Sequence, residues 1–291
     1  MIGIIAAFGA SLSWTFACFI WREHTNSFRP LDINHLKNII AFLFFLPVLI
    51  GLNFQIEAYY IILLLISGII GIGIGDTLYL KSLKLIGTRK TLSIEALSPL
   101  IAGLSGNFFI NEELNRHSLI GFVMISISLI KIISKRDDPT NREEQARELI
   151  SRLNQFSYAF LSILCAVFAA VLSRIVLINS SLSPIETTEI RLLGAILFLS
   201  LLTRQKLINC LKEMDKKKKL TFILSIIFGT NFGILFQQLV FKTLPIGIGW
   251  TLLSTSPLFS LLFSKGEEGF LTKETIFFTF TLFIGISLIF L

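Results

Sequence analysis

The chain repeats itself. Gly71, Gly75, Lys84, Ser98, Pro99 and Leu100 recur 158 positions later as Gly229, Gly233, Lys242, Ser256, Pro257 and Leu258. Upstream the offset is 154, which pairs Ser27, Pro30 and Phe44 with Ser181, Pro184 and Phe198, and conservatively pairs Asp32 with Glu186 and Lys37 with Arg191. Both copies lie in apolar stretches long enough to cross a bilayer. Whatever the first half folds into, the second must fold into as well, and each carries a proline inside a helical span.

Composition sets the solvent. With 53% hydrophobic residues, 28 Phe and only 15% charged residues, the 291-residue chain is too apolar for a water-soluble domain. Its mean hydropathy is +0.77. The apolar runs are continuous and do not alternate with period two, which excludes barrel strands. Lipid leaves open backbone groups unsatisfied, so the spans are expected to be helical. Ten are expected, near 2–20, 35–51, 58–80, 91–110, 117–134, 155–178, 186–203, 220–241, 246–264 and 274–291. This makes an all-α polytopic membrane protein. A first repeat at 1–134 and a second at 154–291 flank a charged linker at 135–153, which is either a short amphipathic helix or a solvated connection. Met1 opens directly into apolar sequence, so the first span reads as a retained helix and not a cleaved leader.

The 26 Lys and Arg sort the connections. Twenty follow odd-numbered spans, Arg116 and Lys242 follow even ones, and Lys37, Lys131, Arg174 and Arg191 fall in or at the edges of spans. The excess places the odd connections in the cytoplasm and both termini outside, in a multi-pass protein of the cell's inner membrane. Five spans per half is an odd number, so the second repeat enters from the opposite side and the two are inverted. The Lys216–Lys219 run reads as a cytoplasmic loop near anionic headgroups, with no nucleic-acid module beside it.

Ser98-Pro99-Leu100 and Ser256-Pro257-Leu258, the acidic pairs Glu112-Glu113 and Glu267-Glu268 that follow them, and the basic Lys37 and Arg191 together resemble the EamA type of the drug/metabolite transporter superfamily. The resemblance runs over nearly the whole chain. It implies ten helices in two inverted five-helix repeats around a central cavity, and secondary transport of small metabolites, often outward. The acidic pairs are 155 apart where the prolines are 158 apart, so the ninth span is expected to be short or bent by nearly one turn.

Polar groups inside spans are the candidate sites. Asp76 and Glu95 flank the third hairpin at similar depth, roughly 9 Å from the cytoplasmic boundary at about 1.5 Å per residue. Their repeat mates are the apolar Ile234 and Leu253. Either they receive a substrate amine or a coupling proton, or they pair with Lys81, Lys84, Arg89 or Lys90. Other cavity candidates are Trp14, Tyr79, Ser98, Asn231, Gln237, Gln238, Trp250, Ser254 and Ser256. Pro99 and Pro257 are candidate helix hinges. Gly71 with Gly75, and Gly229 with Gly233, are small-xxx-small pairs for helix packing.

The expected substrate is a small polar metabolite, an amino acid or related amine if the carboxylates face the cavity. If Lys37 and Arg191 face it instead, the solute is an anion such as a sugar phosphate. A non-transporting membrane scaffold would have no polar cavity. No enzyme constellation is present: His24, His35 and His117 sit at span edges without metal spacing, and Cys18, Cys165 and Cys210 form no motif. No cofactor is expected, since GIGIG interrupts a membrane span and no strand precedes it.

The charge bias makes a direct prediction. A cysteine introduced as Gln145→Cys should react with an impermeant maleimide only after cells are permeabilised; labelling of intact cells would reverse the orientation and leave the span count untouched.

Overall fold

The computed structural model describes residues 1–50, 57–112, 142–203 and 207–263, with isolated helical positions between 117 and 128 and between 277 and 288. The fifth and tenth expected spans, Glu113, Glu267, Glu268 and the start of the linker otherwise lie outside the described residues, as does the end of the ninth span. Among the described residues the regular structure is entirely helical.

Helix α1 (Ile2–Ser27) leads through an extended Phe28 into α2 (Pro30–Ile50). Next come α3 (Ala58–Ser67), a π-helical segment (Gly68–Gly75) and α4 (Asp76–Ile86) as one run. A turn at Gly87, whose φ of 88° suits a residue without Cβ, opens α5 (Thr88–Glu95), and α6 (Ser98–Ile110) follows after two turn residues. The second half comprises α7 (Arg142–Asn179), α8 (Pro184–Leu202) and the short α9 (Leu207–Glu213). It continues with α10 (Lys216–Ser225), a second π-helical segment (Ile226–Phe232), α11 (Gly233–Thr243), α12 (Ile246–Leu253) and α13 (Ser256–Phe263).

The duplication reappears in these irregularities. Adding 158 carries Gly68 at the start of the first π segment to Ile226 at the start of the second. It carries α5 onto α12 end for end, and the break at Ala96–Leu97 onto the break at Ser254–Thr255. Pro99 and Pro257 each lie in the first turn of the restarting helix, where a missing N–H costs nothing. The expected hinges are therefore helix interruptions, one residue upstream of Ser98 and Ser256.

Contacts sort the connections into two ends, as alternating crossings require. At one end Gly3 meets Thr243 and Leu244, Lys242 Nζ donates to the Leu182 carbonyl at 3.0 Å, and Glu112 clamps both halves. Its Oε1 lies 2.5 Å from Arg174 Nε and its Oε2 accepts the Ile246 N–H at 2.7 Å. At the other end His35 Nδ1 lies 2.7 Å from Thr203 Oγ1, and Lys81 sits 3.9 Å over the Tyr158 ring. Large apolar side chains such as Leu201 (83% exposed) and Phe108 (79%) face outward, as they would toward lipid.

Among the described residues, five helical runs have the length and apolarity to cross a membrane: Ile2–Ser27, Ala58–Ile86, Thr88–Ile110, Asn154–Asn179 and Lys216–Thr243. Two expectations need correction. The Lys216–Lys219 run is the first turn of α10 and not a loop, because Asp215 caps it by accepting the Lys218 N–H at 2.7 Å. From Arg142 onward the linker is neither a separate short helix nor an irregular connection but the start of α7.

Glycine brings the two halves into backbone contact. A Cβ on Gly68 would lie 2.0 Å from the Arg191 carbonyl oxygen, and one on Gly194 would lie 2.4 Å from that of Leu65. Backbone atoms do not rotate away as a side chain does. Gly68→Ala and Gly194→Ala should each destabilise the purified protein by about 2 kcal/mol or more. Gly233→Ala, whose Cβ would sit 3.5 Å from its nearest neighbours, should be close to neutral in the same thermal-unfolding measurement. Equal melting temperatures for all three variants would rule out the backbone contact.

Candidate functional site

The first break aims two polar groups into a central space. Pro99 has no N–H to return to the Glu95 carbonyl, so the helix stops at Glu95 and restarts at Ser98. Glu95, half-buried, and Ser98, buried with no partner for its Oγ, both line a cavity of about 550 Å3 counted with its open mouth.

Both halves build the wall. Trp14, Gly71, Gly75, Asp76, Tyr79, Glu95 and Ser98 come from the first, and Ser162, Arg191, Ile234, Gln237 and Trp250 from the second. Two pairs of repeat mates, Asp76 with Ile234 and Tyr79 with Gln237, line it together. The local axis relating the repeats therefore passes through this space.

The charges are arranged unequally. Lys37, 1% exposed, reaches Asp76 Oδ2 at 2.6 Å and lies 4.9 Å over the Trp21 ring. Asp76 is thus neutralised by α2, and its ion-pair partner is none of Lys81, Lys84, Arg89 or Lys90. Glu95 makes no ion pair among the described residues; its Oε2 accepts the Tyr79 hydroxyl at 3.3 Å. That hydroxyl also lies 3.4 Å from Cys18 Sγ, and the Tyr79 ring stands edge-on to Trp14 at 6.2 Å between centroids. Tyr79 is thereby fixed from two sides and in turn orients Glu95. Arg191, 3% exposed, lines the cavity with Nε and Nη1 lacking hydrogen-bond partners.

Of the residues singled out from sequence, Trp14, Asp76, Tyr79, Glu95, Ser98, Gln237 and Trp250 meet at the cavity. Four others are not among its lining residues. Asn231 donates to the Ala41 carbonyl at 2.9 Å, and Gln238 accepts from Ser173 and, at 3.5 Å, from Thr187. Ser256 Oγ lies 3.0 Å from Ser11 Oγ, and Ser254 is buried in the second break. The glycines act at close approaches. A Cβ on Gly71 would lie 2.7 Å from that of Ala169, one on Gly75 3.1 Å from that of Cys165, and one on Gly229 2.3 Å from that of Ala17. Gly233 faces Trp14 more loosely. Ser162 and Ile234 were not anticipated, since one Ser and one Ile in an apolar span carry no signal. Arg191 was expected at the cavity only in the alternative of an anionic solute. Among the described residues no three His, Cys, Asp or Glu side chains gather as metal ligands.

Comparison with known proteins decides the family. Residues 1–134 match the EamA-like transporter family. Over those residues the chain is similar to EamA-like transporters. Six residues of the matched stretch recur 158 positions later, from Gly229 to Leu258. A solved structure titled "Crystal structure of protein" shares the fold at a TM-score of 0.68 and 15% identity, over 98% of this chain and 95% of that one. No curated protein matches. The match, with the long apolar helices, supports a multi-pass membrane transporter, and members of the EamA-like family are transporters.

The Lys37–Asp76 pair has a measurable consequence. Removing one partner of a buried pair strands the other charge, which costs about 3–5 kcal/mol, whereas removing both is far milder. Lys37→Met should lower the melting temperature of the purified protein more than Lys37→Met combined with Asp76→Asn. Additive losses in the double variant would show that the two side chains are not coupled.

Proposed function

We propose that the chain is a secondary transporter that exports a small polar metabolite bearing an amino group, an amino acid or related amine, by alternating access between residues 1–134 and 154–291. The observation that carries this reading is Glu95: a carboxylate at a helix break, oriented by Tyr79, facing a cavity built from both halves, with no cation paired to it among the described residues. A substrate ammonium would supply the missing charge. Asp76 is a poorer candidate for that role because Lys37 already satisfies it.

Matched irregularities at one offset support alternation, because two like halves can exchange their shapes while the site between them is kept. A scaffold without transport would have no use for a buried polar cavity. The Lys and Arg count supports external termini, and Glu95 is also the group to which a coupling proton would bind. Lys37 no longer supports a purely anionic solute, since its charge is spent on Asp76; Arg191 remains.

The test is export from cells followed by counterflow in liposomes, using amino acids and simple amines. Glu95→Gln keeps size and removes the charge, so it should lower amine counterflow by about tenfold or more at normal protein abundance. Pro99→Ala should slow transport with little loss of protein, by joining α5 to α6 across the break. Normal rate and normal pH profile in Glu95→Gln would remove the basis for an amine substrate.

A further inference from the structure

We propose that the Arg191 guanidinium docks a carboxylate of the substrate, in the place that the first repeat fills with its own Asp76. The inference rests on the central cavity being the transport site, and it makes the substrate a zwitterion, held by Arg191 at one end and Glu95 at the other.

The argument comes from comparing the halves. Lys37 and Arg191 are repeat mates on equivalent helices α2 and α8, and Asp76 and Ile234 are repeat mates on α4 and α11. In the first half the cation and the carboxylate meet at 2.6 Å. In the second half the cation is retained while its expected partner is an isoleucine. The second repeat thus keeps one side of an ion pair and lacks the other.

A lone guanidinium inside a membrane protein is costly, so an arrangement that preserves one has a use for it. Arg191 is 3% exposed, makes no ion pair within 4.0 Å among the described residues, and leaves Nε and Nη1 without hydrogen-bond partners. It nevertheless borders the cavity, together with Ile234 and Glu95. Gly71 keeps its edge open: a Cβ there would approach Nη2 to 3.2 Å. A planar fork of donors with an open edge matches the two oxygens of a carboxylate, whereas the ammonium of Lys37 is a point charge that one aspartate oxygen satisfies. Ile234 supplies no carboxylate of its own at that position.

Restoring the absent acid tests the idea without knowledge of the substrate. Ile234→Asp and Ile234→Asn are made with and without Arg191→Gln, and purified proteins are compared by thermal unfolding. Ile234→Asp should melt within a few degrees of wild type when Arg191 is present, and about 5 °C or more below Ile234→Asn when Arg191→Gln is added. Equal effects of Ile234→Asp in both backgrounds, or failure of Ile234→Asp to fold beside an intact Arg191, would overturn the proposal.

A second measurement separates it from the amine reading. Amino acids, their amides, the corresponding deaminated acids and inorganic phosphate are compared as thermal stabilisers of the wild-type protein. Amino acids should stabilise best, and Ile234→Asp should weaken their effect by about tenfold in concentration. Amides as effective as amino acids would overturn the carboxylate site and leave Glu95 standing. Deaminated acids as effective as amino acids would support Arg191 and remove the amine site. Protection by phosphate alone, or by nothing in the panel, would overturn the carboxylate assignment.

Discussion

A charge within the bilayer is costly without a partner, and the Lys37–Asp76 pair meets that constraint at the centre of this protein. Lys37 is almost wholly buried, and its ammonium is held between the Asp76 carboxylate and the Trp21 ring. The ion pair ties α2 to the helix that carries one side of the cavity. One turn earlier on α2, Asn34 reinforces the link by donating to the Ile72 and Gly73 carbonyls at 2.8 and 3.1 Å and to Thr77 at 2.9 Å. Those carbonyls belong to the π-helical segment, where wider turns upset the ordinary ladder of backbone bonds. The same helix face thus neutralises a charge and satisfies backbone that lipid would leave bare.

The two helix breaks among the described residues differ in what surrounds them. The second break is closed by α1: Ser11 and Thr15 exchange hydrogen bonds with Thr255, the Ser256 hydroxyl and the Ser256 carbonyl over 3.0–3.3 Å. The first break has no such cover at Ser98, whose hydroxyl faces the cavity. Two interruptions at equivalent positions therefore have different surroundings. One is packed shut and the other presents its polar atoms to the central space.

Much of the architecture was legible because membrane helices and an internal duplication both leave strong marks in sequence. Apolar length locates helices, and the 154 and 158 offsets identify equivalent positions. Hydropathy reports where lipid ends and not where a helix ends, which is why α1 continues to Ser27, seven residues beyond the expected 20. The partner of Asp76 was missed for a different reason. Hairpin arithmetic brings near only what is near in the chain, and Lys37 is 39 residues away. Polarity alone also failed to say which way a side chain faces. Asn231 and Gln238 are as polar as Gln237, but a helix with protein on several sides can turn its amides toward carbonyls and hydroxyls of its neighbours.

Duplication fixes which differences between the halves carry information. Where both repeats need the same shape, the same residues persist: glycines at close approaches, prolines after the breaks and a basic residue early in α2 and α8. Among the many departures, some fall where the repeats face one another across the cavity. Asp76 stands opposite Ile234 and Tyr79 opposite Gln237, and Glu95 has Leu253 as its mate. Backbone folding tolerates either member of each pair, since both halves form the same helices at these positions. Their divergence therefore acts on the cavity and not on the scaffold, giving one wall an internally neutralised pair and a free carboxylate, and the other a guanidinium beside an apolar patch. A symmetric scaffold with an asymmetric lining can present the same unequal set of charges to a solute whichever way the two halves are tilted.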